Sequence, residues 1–77
     1  MKKEQLGQRV RELRTSRNIS VDELAEKLES SASYVGLLER GDRTLTLGQL
    51  VVVSEMFDVS LDYLVFGDSA RGSGRDS

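Results

Sequence analysis

Four helix starts are written into this chain, and together they leave little room for any other secondary structure. In SVDE, Ser20 stands three residues before Glu23, and in TLGQ, Thr46 stands three before Gln49. In such a pair the hydroxyl receives the backbone N–H of the third helical residue, and that residue's side chain reaches back to the cap's own N–H. Ser31 and Ser60 hold the N-cap position ahead of two further apolar stretches. Before all of these, Leu6, Val10 and Leu13 recur at the spacing of one helical face. The stop signals agree: Asn18 tolerates the left-handed conformation, and Gly41 and Gly67 follow the third and fifth apolar stretches. The pattern predicts helices over about 3–17 and 21–28, one between Ser31 and Gly41, one from Thr46 through Phe57, and one from Ser60 to Gly67. No strand-like alternation, internal repeat or proline interrupts it. The expected fold class is therefore all-α: five helices over residues 1–67, followed by a Ser-, Gly- and charge-rich tail, 68–77, expected to be flexible.

Composition sets the class of chemistry. With 77 residues, 38% of them hydrophobic and 31% charged, the chain fits one small compact domain. It has no Cys and no His. Disulfides and the usual zinc sites drop out, and no nucleophile–base pair or phosphate-cradling glycine loop is visible. The expectation is a non-enzyme without cofactor or metal. No apolar run approaches the ~20 residues of a membrane span and MKKEQLGQ opens no signal peptide, so a cytoplasmic location is expected, with no membrane partner.

The net charge of −2 is unevenly spread. Residues 1–17 hold Lys2, Lys3, Arg9, Arg11, Arg14 and Arg17 against Glu4 and Glu12. Residues 44–68 hold Glu55, Asp58, Asp62 and Asp68 with no basic residue. A domain polarised in this way can present one end to phosphate, although ordinary solvated surface charge accounts for the same counts.

Two short helices joined by three or four residues inside a small all-α domain are the outline of a helix-turn-helix. Through LGQRVRELR, ISVDELAEKL, SYVGLLERG and VSLDYLVFG, the chain resembles the phage repressor/Cro-like (XRE-type) helix-turn-helix regulators from about Leu6 to Gly67. The resemblance implies that the second and third helices form the motif and that the third lies in the DNA major groove. It implies a dimer on a near-palindromic site, and a structural ion pair between Arg14 and Glu39. The chain departs from the family pattern at Val21, where a Gln is common, at Glu29 in the turn, where Gly is common, at Ser30, which replaces a small apolar residue, and at Leu45, which replaces a proline. These departures bear on specificity rather than on fold.

Helical phase then sorts the third helix. With Val35 and Leu38 inward, the opposite side carries Ser33, Gly36, Leu37 and Arg40, with Ala32 at the N-terminal edge. Ala32, Ser33, Gly36 and Leu37 are the candidate base contacts, yet they include none of the Arg, Asn or Gln that dominate direct readout. Such a face offers one hydroxyl, room for close backbone approach and methyl groups for thymine, so discrimination is expected to be modest or shape-led. Candidate phosphate contacts are Arg9 and Arg11 on the first helix, Ser20 and Val21 at the start of the second, Tyr34 on the flank of the third, Arg40 near its end, and Arg43, Thr44 and Thr46 beyond it. Ser20 and Thr46 are equally explained as caps. In LVVVSEMF, Leu50, Val53 and Phe57 make the inward stripe and Val52 is expected to point away; with Val65 and Phe66 it forms a candidate dimer patch.

The function expected from all this is a transcriptional regulator, a dimeric repressor that binds double-stranded DNA. A second reading is the same fold lent to a protein partner, as an antirepressor or antitoxin-like adaptor; Leu37 on the outward face and the missing amides favour it.

Overall fold

The computed structural model describes residues 2–67. Five helices follow in order: α1 Lys3–Ser16, α2 Val21–Lys27, α3 Ala32–Arg40, α4 Leu47–Phe57 and α5 Leu61–Phe66. The described residues contain no strand, and the all-α expectation holds. The expected tail lies outside the described residues.

Local chemistry accounts for the boundaries. Ser20 and Thr46 both form complete capping boxes: Glu23 and Gln49 N–H donate to the cap hydroxyls at 3.0 and 3.1 Å, and each cap N–H donates to its partner's side-chain oxygen at 2.9 and 3.0 Å. Ser31 and Ser60 accept from the N–H groups of Tyr34 and Tyr63 at 3.1 and 2.9 Å. Gly41 closes α3 at φ 87°, where its N–H and that of Asp42 return to the carbonyls of Leu38 and Leu37. Gly67 ends α5 at φ 71°, and the three remaining positive-φ turns among the described residues are made by residues with a β-carbon: Asn18 after α1, Glu29 between α2 and α3, and Asp58 after α4.

One hydrophobic core joins the helices. Leu6 and Val10 from α1, Leu24, Ala25 and Leu28 from α2 and its end, Val35 and Leu38 from α3, Leu50, Val53 and Phe57 from α4 and Leu64 from α5 are all buried. Leu45, in the loop before α4, is buried with them and fixes that loop from beneath. At about 1.5–3 kcal/mol for each fully buried aliphatic or aromatic side chain, this set supplies the main driving force.

The placement of α3 depends on α1. A β-carbon at Gly7 would sit 2.2 Å from the Leu38 carbonyl oxygen and 2.9 Å from that of Glu39, so only glycine lets the two backbones cross this closely. Two turns further along α1, Arg14 grips Glu39 through Nε and Nη2 at 2.7 and 3.1 Å, and its Nη1 donates to the Ile19 carbonyl at 3.0 Å. That single side chain ties α1, the α1–α2 turn and the end of α3. α5 packs on α4 and on α1.

Candidate nucleic-acid interface

α2, the turn through Glu29 and Ser30, and α3 form a compact pair in which α3 shows one side to solvent. Val35 and Leu38 are buried; Ala32, Ser33 and Arg40 are exposed; Gly36 and Leu37 are half-exposed. The four candidate base-contact residues therefore share one accessible face. A β-carbon at Gly36 would meet nothing within 4 Å. Arg40 is exposed and its Nε lies 3.6 Å from the Asp42 carboxylate, a surface pair that water screens and that a stronger anion can displace.

Three further elements flank this face. The loop 41–46 presents Arg43 and Thr44, both exposed; the Arg43 guanidinium touches only the Asp42 carbonyl, at 3.3 Å. The starts of α2 and α4 turn their first N–H groups outward without an intrahelical acceptor, as at any helix N-terminus. Ser20 and Thr46 spend their hydroxyl lone pairs and their own N–H groups on the capping boxes, so any phosphate contact there comes from the hydroxyl proton or the next N–H groups. The Glu23 carboxylate is held below its ordinary pKa, chiefly by the Ser20 N–H, then by the Ser20 hydroxyl. The Val21 side chain packs on the core, which leaves its backbone N–H as the group facing outward. Arg11 is exposed on α1.

The orientation expected of Val52 needs correction, and two candidate phosphate contacts, Arg9 and Tyr34, are tied inside the domain. Arg9 is not a free cation: its Nη1 donates to the carbonyls of Leu64 and Val65 at 2.8 and 3.2 Å, closing the end of α5 against α1. Its i+3 distance from Leu6 puts it beside the buried stripe, a signal that could have revealed this. Tyr34 is equally engaged. Its hydroxyl lies 2.8 Å from the Thr44 carbonyl and 3.0 Å from Gln49 Oε1, both acceptors, so its proton is spent inside the domain. Val52 does not point away from the fold but packs, half-buried, against the core, and Val51 is the exposed valine. In a run of four apolar residues the helical phase is ambiguous by one position, and packing against the core decides it. Val65 is half-buried, whereas Phe66 is 58% exposed and Leu61 on the same short helix 37%.

Arg17 went unmarked as a structural residue. Its Nη2 donates to the Phe57 carbonyl at 3.0 Å and its guanidinium lies 5.4 Å from the centre of the Phe57 ring, capping α4. Thus Arg9, Arg14 and Arg17, three of the basic residues of the first 17, spend donors on the fold, and among them Arg14 has its charge paired with a carboxylate. Glu55, Asp58 and Asp62 are exposed at the α4–α5 end. Asp68 lies outside the described residues.

Residues 10–64 match the model of the helix-turn-helix family HTH_3. The chain belongs to this family. Among its relatives is the HTH-type transcriptional regulator RamB of Mycobacterium tuberculosis, 38% identical over 71 residues. That stretch is 92% of this chain and 15% of RamB, so the chain spans a small part of the regulator's length. Among solved structures, the restriction-modification controller protein C.AhdI from Aeromonas hydrophila superposes with a TM-score of 0.69 at 36% identity, covering 79% of this chain and 92% of that one. The master regulator for biofilm formation SinR, solved in complex with DNA, superposes with a TM-score of 0.68 at 36% identity, covering 78% and 97%. As a family member the chain has α2 and α3 as its helix-turn-helix, with Ala32, Ser33, Gly36 and Leu37 on the outward side of the second helix of the motif.

Proposed function

We propose that this domain binds double-stranded DNA as the DNA-reading part of a transcriptional regulator, with α3 entering the major groove. The observation that carries the reading is the match to SinR, a protein solved on DNA, over nearly all of that chain. The local surface supports it: an accessible α3 face, an exposed Arg43 loop beside it and two outward helix N-termini on its flanks. Phosphate contacts from Arg40, Arg43, Thr44 and the α2 and α4 starts set position, while α3 samples the groove. With no amide or guanidinium before Arg40 on that helix, base discrimination is modest and leans on DNA shape. The domain works by occupying its site, not by chemistry, and so represses.

The reading includes a homodimer. Phe66 and Leu61 of α5 leave apolar surface at the acidic end, and pairing through it gives two α3 helices a two-fold relation suited to a near-palindromic site.

The test is a titration into its own promoter region and into random duplex at two salt concentrations. Binding that weakens steeply with salt, at about −0.9 in log–log slope per phosphate contact, is expected. No binding even near ~50 mM salt overturns the reading and favours a protein partner for α3, since that range strengthens every phosphate contact.

A further inference from the structure

The loop 41–46 is tied at both ends, by Gly41 and Asp42 to α3 and by Thr46 to α4, while Arg43 and Thr44 between them stand exposed. Leu45 anchors it from below, and Arg43 bonds only its neighbour's carbonyl. What fixes its outer edge is Tyr34. The phenol lies 2.8 Å from the Thr44 carbonyl, and 3.0 Å from Gln49 Oε1. That same oxygen receives the Thr46 N–H at 3.0 Å, and the Gln49 N–H returns to Thr46 Oγ1 at 3.1 Å. The capping box sets the amide orientation, because Oε1 must face the Thr46 N–H. Both neighbours of the phenol are then acceptors. One proton serves them, and the shorter approach to Thr44 takes most of it. A chain of bonds thus runs from the flank of α3, through the loop, to the first turn of α4.

We infer that Tyr34 is the positioning residue of this interface, holding the Arg43–Thr44 loop and the α4 start in fixed register with α3. This rests on the DNA reading above. A loop ordered before binding spares the complex the entropy of ordering it, and that saving appears as affinity. The phenol contributes without touching the nucleic acid, which a phosphate contact through its committed proton would not allow.

Tyr34→Phe keeps the ring and removes only the proton. Compared with the full chain, affinity for every duplex sequence falls about five- to tenfold, the scale of one net hydrogen bond. In an Arg43→Ala background the same change costs measurably less, since the loop has then lost its cation and only Thr44 and the α4 start remain to be positioned. A role in stability alone would lower affinity equally in both backgrounds. In the free protein, hydrogen exchange at Thr46 and Gln49 quickens while α1 and α2 amides keep their rates. Affinity within twofold of the parent, an equal loss in both backgrounds, or unchanged exchange at Thr46 and Gln49 overturns the inference. If the parent binds no duplex at all, the DNA reading falls and the positioning role falls with it. Faster exchange at those two amides then identifies a purely structural tie.

Discussion

Arg14 and Glu39 face each other in a two-point grip, 2.7 and 3.1 Å, with only 13% and 9% of their side chains exposed. The hydrogen bond to Glu39 raises the Arg14 pKa against the opposing effect of its desolvation, so the guanidinium stays charged in a place poor in water. The pair sets where α3 ends relative to α1. Removing one partner strands the other, which costs more than the pair itself contributes. Glu39→Ala is expected to lower unfolding free energy by about 1.5–3 kcal/mol, read as a shifted urea midpoint. Arg14→Met with Glu39→Leu should recover a large part of that loss, and a double variant as unstable as Glu39→Ala would contradict this account.

Two other arginines, one structural and one exposed, separate fold from binding. Arg9 closes α5 through the Leu64 and Val65 carbonyls, and Arg43 stands exposed on the loop after α3. Arg9→Ala should reduce stability by about 1–3 kcal/mol, because a charged donor leaves two part-buried carbonyls, and should leave the salt slope of DNA binding as it was. Arg43→Ala should do the reverse: melting unchanged within error, affinity lower on all sequences alike, and a slope smaller by about 0.9. Paired melting and salt titrations on both variants decide the assignment.

These contrasts show which parts of the molecule were legible in the chain. Caps are local chemistry, so Ser20 with Glu23, Ser31, Thr46 with Gln49, and Ser60 marked their helices to within a residue. Val35 and Leu38 marked the buried side of α3 because a nine-residue helix with mixed polarity has one phase. The internal ties of Arg9 and Tyr34 are invisible in the sequence for one shared reason: their acceptors are mainly backbone carbonyls, at Leu64, Val65 and Thr44, and a carbonyl leaves no mark there. Gly7 was silent as well, since the oxygen it makes room for belongs to Leu38, 31 positions away. Val51 and Val52 could not be ordered in a run apolar on every side; the packing of α4 on the core orders them.

Strain at the turns predicts a slight stabilisation. Glu29 sits at φ 54° between α2 and α3, a conformation that costs a side-chain-bearing residue about 1 kcal/mol and glycine almost nothing. Glu29→Gly should therefore raise stability only slightly, by roughly 0–0.5 kcal/mol, after the added freedom of the unfolded chain is deducted. Asn18→Gly, at φ 57°, should gain less, because Asn already tolerates this region. A urea series comparing the two variants tests the ranking, and equal gains would show that strain is not what distinguishes them.

Acid should weaken the α2 cap in a definite direction. Glu23 has its pKa lowered by the Ser20 N–H, so folding favours its ionised form. Its contribution is complete above the ordinary glutamate pKa and is lost as pH falls through the lowered, folded-state value. The stability gap between the parent and Glu23→Gln should then shrink on acidification below neutral conditions, once pH enters the carboxylate range. A gap that widens with acid would reverse the sign and refute the capping account.

Gly36 brings fold and recognition into opposition. It lies inside α3, where glycine costs about 1 kcal/mol relative to alanine, and its φ is not in the left-handed region that would require it. Nor does packing require it, since a β-carbon there meets nothing within 4 Å, in contrast to 2.2 Å at Gly7. The domain therefore gives up stability at this position without any gain inside its own fold. On the DNA reading, the gain is close approach of the α3 backbone to the groove floor. Gly36→Ala should raise stability by up to about 1 kcal/mol while weakening DNA binding, and Gly36→Leu should weaken it further with the fold intact. The pair of measurements is a thermal melt and a duplex titration on each variant. Stabilisation with undiminished affinity would show that Gly36 keeps no distance that DNA uses.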